Sequence, residues 1–106
     1  MRRVMVRYTL KPGRAGENED HIRRVFEQLA RERPAGLRYA AFKLEDGVSF
    51  VHVAHTDARE GRNPLTELSA FQAFAAGIRE RCAEPPVTVQ LQEIGSYDFF
   101  DPVKSG

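Results

Sequence analysis

The sequence predicts an α+β fold of the ferredoxin-like type, with the element order βαββαβ. Three observations carry this prediction: apolar and polar residues alternate in short segments, apolar residues recur at helical spacing in two longer segments, and an Asp-Gly pair separates the two central strands. Two right-handed crossovers then give one antiparallel sheet in the order 4-1-3-2, with both helices on one face.

The first strand is predicted over residues 4–11, where alternate residues share one apolar face: Val4, Val6, Tyr8 and Leu10. The first helix is predicted over residues 17–33, because apolar residues recur there on a single stripe. The members of that stripe are Ile22, Val25, Phe26, Leu29 and Ala30. Proline and glycine within residues 33–36 end the helix.

Residues 37–57 are predicted to form a hairpin around Asp46-Gly47, a pair that favours two-residue turns in which both residues have positive φ. A turn of this length sets the register of the two strands. Its expected cross-strand pairs are Glu45 with Val48, Phe42 with Val51, Ala41 with His52, and Arg38 with His55.

Cross-strand partners share a face, so the hairpin divides into two sets of side chains. The set that contains Arg38, Phe42, Val53 and His55 is more aliphatic in its middle, and we assign it to the helix side. The other set then lies on the open face of the sheet, away from the helices, and still carries large apolar groups. A second copy of the chain is the simplest cover for such a patch, which predicts a homodimer with Tyr39, Phe50 and His52 in its interface.

The second helix is predicted over residues 63–82. Asn63-Pro64 is a good N-cap pair, and Ser69 with Gln72 has the spacing of a capping box, so the main helix is expected to restart near Ser69. A final strand is predicted over residues 87–100, with a bend at Gly95. The chain is thus expected to be one domain over residues 1–106, with a core of about 3–100 and a loose tail at 101–106.

The composition disfavours several classes of function. Sixteen basic and fifteen acidic residues are interspersed, for a net charge of +1, so nucleic acid and anionic membranes are poor partners. Cys82 is the one cysteine, which excludes an intrachain disulfide and a cysteine-based metal site. No apolar run approaches the ~18 residues of a membrane span, and no signal peptide is evident. The expected location is the cytoplasm, with no cofactor and no metal.

Three stretches give the chain a family resemblance: VRYTLKPGRAGENEDHI (6–22), the strand pair around Asp46-Gly47, and HTD…NPLTELSAFQAF (55–74). Up to about residue 100, the chain resembles dimeric α+β barrel proteins of the antibiotic-biosynthesis-monooxygenase type. Ser69, Phe71 and Phe74 approximate the helix start typical of those proteins. The resemblance implies a cavity between sheet and helices in each subunit of a dimer.

Members of this family include cofactor-free monooxygenases acting on polycyclic phenols, haem-degrading enzymes, isomerases and signalling-related proteins. The present chain departs from the family pattern in three places. It has no tryptophan, and His55 stands at the strand end where many members carry one. Pro64, Leu65 and Thr66 occupy the region where many members carry histidine, and Val6 aligns with the asparagine of haem-degrading members. These departures disfavour haem degradation.

On this reading His55 is the candidate general base toward a phenol, since an imidazole beside an apolar cavity can titrate near neutrality. Asp57 would orient it, while Tyr8 and Arg38 would stabilise an anion. The expected cavity wall comprises Val6, Phe42, Val53, Phe71 and Phe74. Each candidate also has a plain structural reading: a rim histidine, a core tyrosine, a surface arginine or core phenylalanines.

Two hypotheses for function follow. The first is a cofactor-independent monooxygenase acting on a small aromatic or phenolic substrate between sheet and helices. The second is a non-catalytic dimeric module that binds a small apolar ligand or has only a structural role. A hollow space between sheet and helices would favour the first hypothesis, and a core filled by the phenylalanines would favour the second.

Overall fold

A computed structural model of the chain describes residues 2–57 and 63–99. Its elements, in chain order, are β1 (Arg2–Leu10), α1 (Ala15–Glu32), β2 (Leu37–Lys43), β3 (Ser49–Thr56), α2 (Ser69–Ala76), α3 (Ile78–Arg81) and β4 (Cys82–Gln90). The strands form one antiparallel sheet in the order β2-β3-β1-β4, which confirms the predicted topology. Phe100 and the predicted tail at 101–106 lie outside the described residues. Within the described ranges, none of the helices has the length and apolar character needed to cross a bilayer.

The helices cover the sheet face that carries Tyr8, as predicted for β1, but the faces of the hairpin are the reverse of the prediction. β1 pairs with β3 so that Tyr8 lies opposite Phe50 and Val6 lies opposite His52. Because cross-strand partners share a face, Phe50 and His52 point toward the helices. Tyr39 joins them, with its ring stacked on Phe26 of α1 at 5.2 Å.

The expected dimer-face placement of Tyr39, Phe50 and His52 is therefore wrong, and so is the expected helix-side placement of the opposite set. The open face instead carries side chains from all four strands. They include Met5, Arg38, Phe42, Val51, Val53, His55, Val87 and Val89. On the helix side, Tyr39, Phe50 and His52 meet further aromatic side chains, such as Phe74, whose ring stacks on His52 at 5.4 Å.

The predicted hairpin register is confirmed, since Phe42 pairs with Val51 and Arg38 with His55. The turn is longer than two residues, and in it only Gly47 has positive φ, at 79°. Asp46 closes the loop: its carboxylate accepts hydrogen bonds from the N–H groups of Val48 and Ser49 and from the Ser49 hydroxyl. These bonds lower the pKa of Asp46. A side-chain cap thus replaces the tight two-residue turn.

The last strand begins earlier and ends earlier than predicted. β4 follows directly on α3 at Cys82, runs through Pro85-Pro86 and ends at Gln90, so the strand expected at 87–100 is wrong in both bounds. Prolines are tolerated here because β4 is an edge strand, where one side needs no backbone donor. The register against β1 also shifts between Arg7 and Leu10. Residues 91–99 form no regular element.

The start of α2 at Ser69 is confirmed, but the predicted capping box is not formed. Leu68 occupies the N-cap position, and no side chain of α2 caps the helix. The cap comes instead from α1, where the Gln28 amide oxygen accepts a hydrogen bond of 2.9 Å from the Ala70 N–H. Gln28 is buried between the two helices. One side chain therefore fixes the start of α2 against α1.

We predict that Gln28→Met lowers the free energy of unfolding by about 1 kcal/mol, the usual cost of losing a helix cap. Methionine keeps the side-chain length but cannot accept a hydrogen bond. The matched control is Gln72→Met, which removes only an exposed bond to the Thr66 carbonyl and should cost under ~0.5 kcal/mol. Urea unfolding measures both. If Gln72→Met lowered the free energy of unfolding more than Gln28→Met, the predicted capping box would be supported and the cap from α1 contradicted.

Candidate functional site

A cavity of about 340 Å³ lies between the helix-covered face of the sheet and the segment from Asn63 to Ile78. Most of its lining is apolar. The predicted wall residues Val6, Phe71 and Phe74 do line it. The space between sheet and helices is thus partly hollow, as the family resemblance implied.

One wall of the cavity carries five polar residues joined by hydrogen bonds, which we call the polar chain. The Arg81 Nε–H donates to Asn18 Oδ1 at 3.2 Å, and Asn18 Nδ2 donates to the Tyr8 hydroxyl at 2.8 Å. The Tyr8 hydroxyl lies 2.8 Å from His52 Nε2, and the Tyr39 hydroxyl lies 2.5 Å from His52 Nδ1. His52, Tyr8 and Tyr39 line the cavity, while Arg81 and Asn18 support them from behind.

Each member of the polar chain is positioned by the local structure around it. Tyr8 and His52 are near neighbours because Val6 pairs with His52 and strand side chains alternate. Asn18 lies in the first turns of α1 and is fully buried, on the side that faces the sheet. Arg81 ends α3, three residues after the buried Ile78, so both point inward.

Arg81 is only 2% exposed and is held by acceptors in the protein interior. Besides its bond to Asn18, it donates from Nη2 to the Phe74 carbonyl at 3.0 Å, and its guanidinium lies 5.5 Å from the centre of the Phe74 ring. A Cβ on Gly77 would lie 2.8 Å from Arg81 Nη1, so the absence of a side chain makes room for the guanidinium. Within residues 2–57 and 63–99 no carboxylate forms a salt bridge with Arg81. The groups in direct contact with its positive charge are therefore neutral, while Glu17 and Glu80 act on it from farther away.

Burial sets the ionisation of the polar chain. It lowers the pKa of His52 to about 4, so the imidazole is neutral at physiological pH. Burial also raises the pKa of Tyr8, against a smaller opposing effect of the Asn18 hydrogen bond, and raises the pKa of Tyr39. Both phenols therefore keep their protons. The cavity wall presents neutral, hydrogen-bonded groups with one buried cation behind them.

The residues predicted from sequence divide between the two faces of the sheet. Tyr8 lies in the cavity wall as expected. His55 and Arg38 pair with each other on the open face, so the expected position of His55 under the second helix is wrong. Phe42, 51% exposed, and Val53 also lie on that face and do not line the cavity. Asp57 is exposed after β3, where its N–H bonds to the Gly36 carbonyl.

Sequence reasoning missed four members of the polar chain as site residues: Asn18, Tyr39, His52 and Arg81. For Asn18 and Arg81 a signal was present, since both are polar residues on the inward stripe of a helix. For Tyr39 and His52 the signal was ambiguous, because both faces of the hairpin carry apolar residues in similar numbers. Only the pairing of β3 with β1 decides which face meets the helices.

Comparison with solved structures supports the fold at low sequence identity. The chain is similar to a structure titled antibiotic biosynthesis monooxygenase, with a TM-score of 0.72, 18% identity, and coverage of 90% of this chain and 100% of that one. It is also similar to a mutant of SnoaB, a cofactor-independent oxygenase from Streptomyces nogalater (TM-score 0.64, 18% identity, 89% and 93% covered). A Nitrosomonas europaea protein of unknown function gives a TM-score of 0.68 at 19% identity, with 90% of both chains covered.

No protein-family model and no curated protein matches the sequence. At 18–19% sequence identity, the feature that this chain shares with these solved structures is the fold. The structures named for antibiotic biosynthesis monooxygenases therefore confirm the resemblance seen in the sequence at the level of architecture. What the cavity does must be argued from its own residues.

We predict that stability falls between pH 6.5 and about 4 through His52. In that window the unfolded chain protonates this histidine and the folded protein does not, so protons favour unfolding. The difference between pKa values of 6.5 and about 4 corresponds to about 3 kcal/mol. Urea unfolding across this range should show a shallower pH dependence for His52→Gln than for wild type. The control is His21→Gln, at a half-buried site where burial also lowers the histidine pKa but without a shift as large as that of His52, so its slope should stay close to that of wild type. Equal slopes for wild type and His52→Gln would contradict the prediction.

Proposed function

We propose that the protein is a cofactor-independent monooxygenase acting on a small aromatic or phenolic substrate held in the cavity. The observation that carries this proposal is a mostly apolar, partly aromatic cavity whose lining includes three members of the polar chain, with the buried Arg81 cation at the far end of that chain. The same fold in a cofactor-independent oxygenase supports it. Tyr39 and Arg81 take the anion-stabilising role that sequence analysis gave to Tyr8 and Arg38, and the general-base role given to His55 is not used.

The size and lining of the cavity favour a flat aromatic substrate. Its volume of about 340 Å³ lies near the lower end of the range for small-molecule sites, about 300–1,000 Å³. The rings of Phe71 and Phe74 lie 5.8 Å apart and offer faces against which an aromatic ring can pack. The Tyr8 hydroxyl is already bonded to Asn18 and His52, so a substrate oxygen would be directed toward Tyr39.

The reaction needs a substrate that can form a stabilised anion. An electron-rich phenol or its ketone tautomer loses a proton to solvent water, and the resulting anion passes electrons to O₂. The peroxide that bonds to carbon takes up a proton from solvent and becomes a hydroperoxide. Loss of water then leaves a new carbonyl group, so one oxygen atom enters the product and the other leaves as water. The electrons come from the substrate itself, which becomes the quinone-type product.

The task of the protein in this reaction is to stabilise the substrate anion. Neutral hydrogen-bond donors aimed at a developing charge in a water-poor cavity are effective because they need little reorganisation. The positive charge of Arg81, at the far end of the polar chain, also stabilises the substrate anion. His52 stays neutral at rest, because its pKa lies near 4. Its function in this proposal is to connect Tyr8 with Tyr39.

Oxygen uptake tests the proposal directly. We expect the purified protein to consume one O₂ per molecule of anthrone or 1,5-dihydroxynaphthalene and to form anthraquinone or a hydroxynaphthoquinone, with one molecule of water. His52→Phe interrupts the polar chain and should lower the rate at least 100-fold, as for loss of an oxyanion donor. His55→Phe, a histidine of the same strand on the open face, should retain most of the rate. Binding without oxygen uptake would instead indicate the non-catalytic ligand-binding module.

We further propose that two copies of the chain pack through the open face. This face carries large apolar side chains that are about half exposed in the single chain, among them Phe42 at 51%, Val87 at 59% and Val89 at 43% exposure. Met5, Val51 and Val53 lie between them on the central strands, together with Arg7, which pairs with Val51 and Val87. So many exposed apolar groups on one face favour a self-complementary partner. The contact residues of this proposed dimer therefore differ from Tyr39, Phe50 and His52, which the sequence analysis placed in the interface.

Sedimentation velocity should therefore give twice the mass of the 12.0 kDa chain. Val87→Lys places a second positive charge opposite Arg7 on this face and should shift the protein to monomer, since like charges repel each other and are costly to bury. Ala73→Lys places the same charge on the exposed surface of α2 and should remain dimeric. A monomeric wild type, or a dimer that persists in Val87→Lys, would contradict this interface.

A further inference from the structure

The geometry points to a one-way hydrogen-bond chain that starts at the Arg81 guanidinium and ends at the Tyr39 hydroxyl, whose proton is donated to a bound ligand. This inference rests on the proposed function and deepens it. It specifies that the ligand carries an oxygen acceptor, a carbonyl or phenolate oxygen, at the Tyr39 position. Arg81 and Asn18 then act as positioning residues that set the direction of the chain.

The first step fixes the orientation of the Asn18 amide. A guanidinium has five N–H donors and no acceptor, so the group that faces Arg81 Nε must be the Asn18 oxygen. The amide nitrogen consequently faces the Tyr8 hydroxyl, at 2.8 Å, and donates to it. An amide rotated by 180° would place its NH₂ group against the Arg81 Nε–H, so that two donors would face each other there. The direction of these two bonds follows from the presence of Arg81.

The second step fixes the proton of Tyr8. The Tyr8 oxygen already accepts from Asn18, and among the described residues its one remaining hydrogen-bond neighbour is His52 Nε2. Tyr8 is 2% exposed, so a hydroxyl proton without an acceptor would cost about 1–3 kcal/mol. Its proton therefore goes to His52 Nε2, which accepts.

The third step fixes the tautomer of His52. A neutral imidazole carries one N–H, and since Nε2 accepts a proton from Tyr8, the hydrogen lies on Nδ1. The Nδ1–H then donates to the Tyr39 oxygen. The opposite tautomer would turn both bonds around and leave the buried Tyr8 proton without an acceptor. The neighbourhood thus selects the Nδ1–H form.

The fourth step leaves one proton for the ligand. The two contacts of His52 use two of the three protons that Tyr8, His52 and Tyr39 contribute. The remaining proton belongs to Tyr39, which is half-buried, lines the cavity and also borders an outer groove beside α1. The Tyr39 hydroxyl can therefore donate a hydrogen bond to a ligand oxygen, and this bond is strongest when that oxygen carries a negative charge. Each hydrogen bond from Arg81 to Tyr39 polarises the next one, so the Tyr39 hydroxyl becomes a stronger donor.

The tautomer of His52 can be measured directly in the unliganded protein. We expect ¹⁵N-edited NMR of the imidazole rings at pH 7 to show His52 with hydrogen on Nδ1 and none on Nε2. In Asn18→Asp, the carboxylate accepts both from Arg81 and from the Tyr8 hydroxyl, which reverses the remaining bonds. His52 should then carry its hydrogen on Nε2. An Nε2–H form in the wild type would overturn the inference, whatever the variant does.

Ligand binding provides the second arm, with 9-fluorenone and fluorene as a matched probe pair that differs in one carbonyl group. Tyr39→Phe should weaken 9-fluorenone binding 3- to 10-fold, the effect of one neutral hydrogen bond, and leave fluorene unchanged. Asn18→Asp should cause the same selective loss, and the double variant should lose no more than either single one. Additive losses, or a loss for Asn18→Asp with none for Tyr39→Phe, would overturn the one-way chain.

The two arms separate this inference from the proposed function. A protein with the Nδ1–H tautomer and the carbonyl-selective effect at Tyr39, but without oxygen uptake, retains the inference and loses the monooxygenase. A protein that oxygenates phenols but carries the Nε2–H tautomer keeps its function and loses the one-way chain.

Discussion

The pairing of β3 with β1 is the constraint on which the rest of this structure depends. With Tyr8 opposite Phe50, every second residue of β3 must face the helices, and His52 comes to lie beside Tyr8. A shift of one residue would exchange the two faces and place His55 under α2. The cavity wall and the exposed apolar surface of the open face both follow from this single register.

A buried guanidinium is the second organising feature. Arg81 can remain in the interior only if its donors find acceptors, and Asn18 and the Phe74 carbonyl provide them. Removal of one acceptor would leave a charged group unsatisfied, so the positions of α1, α2 and β1 are coupled through this side chain. Gly77 belongs to the same arrangement, because a larger residue would occupy the place of the guanidinium. The polar chain thus holds the two helices to the sheet while it lines the cavity.

Much of the fold was accessible from the sequence for local reasons. Alternation identified β1, helical spacing identified α1, and the Asp46-Gly47 pair fixed the hairpin register that the structure confirms. The errors arose where local signals were equal or misleading. Pro85-Pro86 was taken as a boundary but lies inside an edge strand, and the Ser69–Gln72 spacing suggested a cap that Gln28 provides from another helix. For the site, Tyr8, Val6, Phe71 and Phe74 were placed correctly, while His55, Arg38, Phe42 and Val53 were assigned to the wrong face.

The sequence by itself determined the element order, the sheet topology and the resemblance to one fold family, because these depend on periodicity and turn chemistry within short segments. Only the tertiary structure decided which face of the hairpin meets the helices, since both faces are apolar enough to be buried. It also decided that Asn18 bonds both to Tyr8, 10 positions away in the chain, and to Arg81, 63 positions away. Such a contact depends on packing, because the acceptors that a buried cation needs come from elements that are distant in sequence.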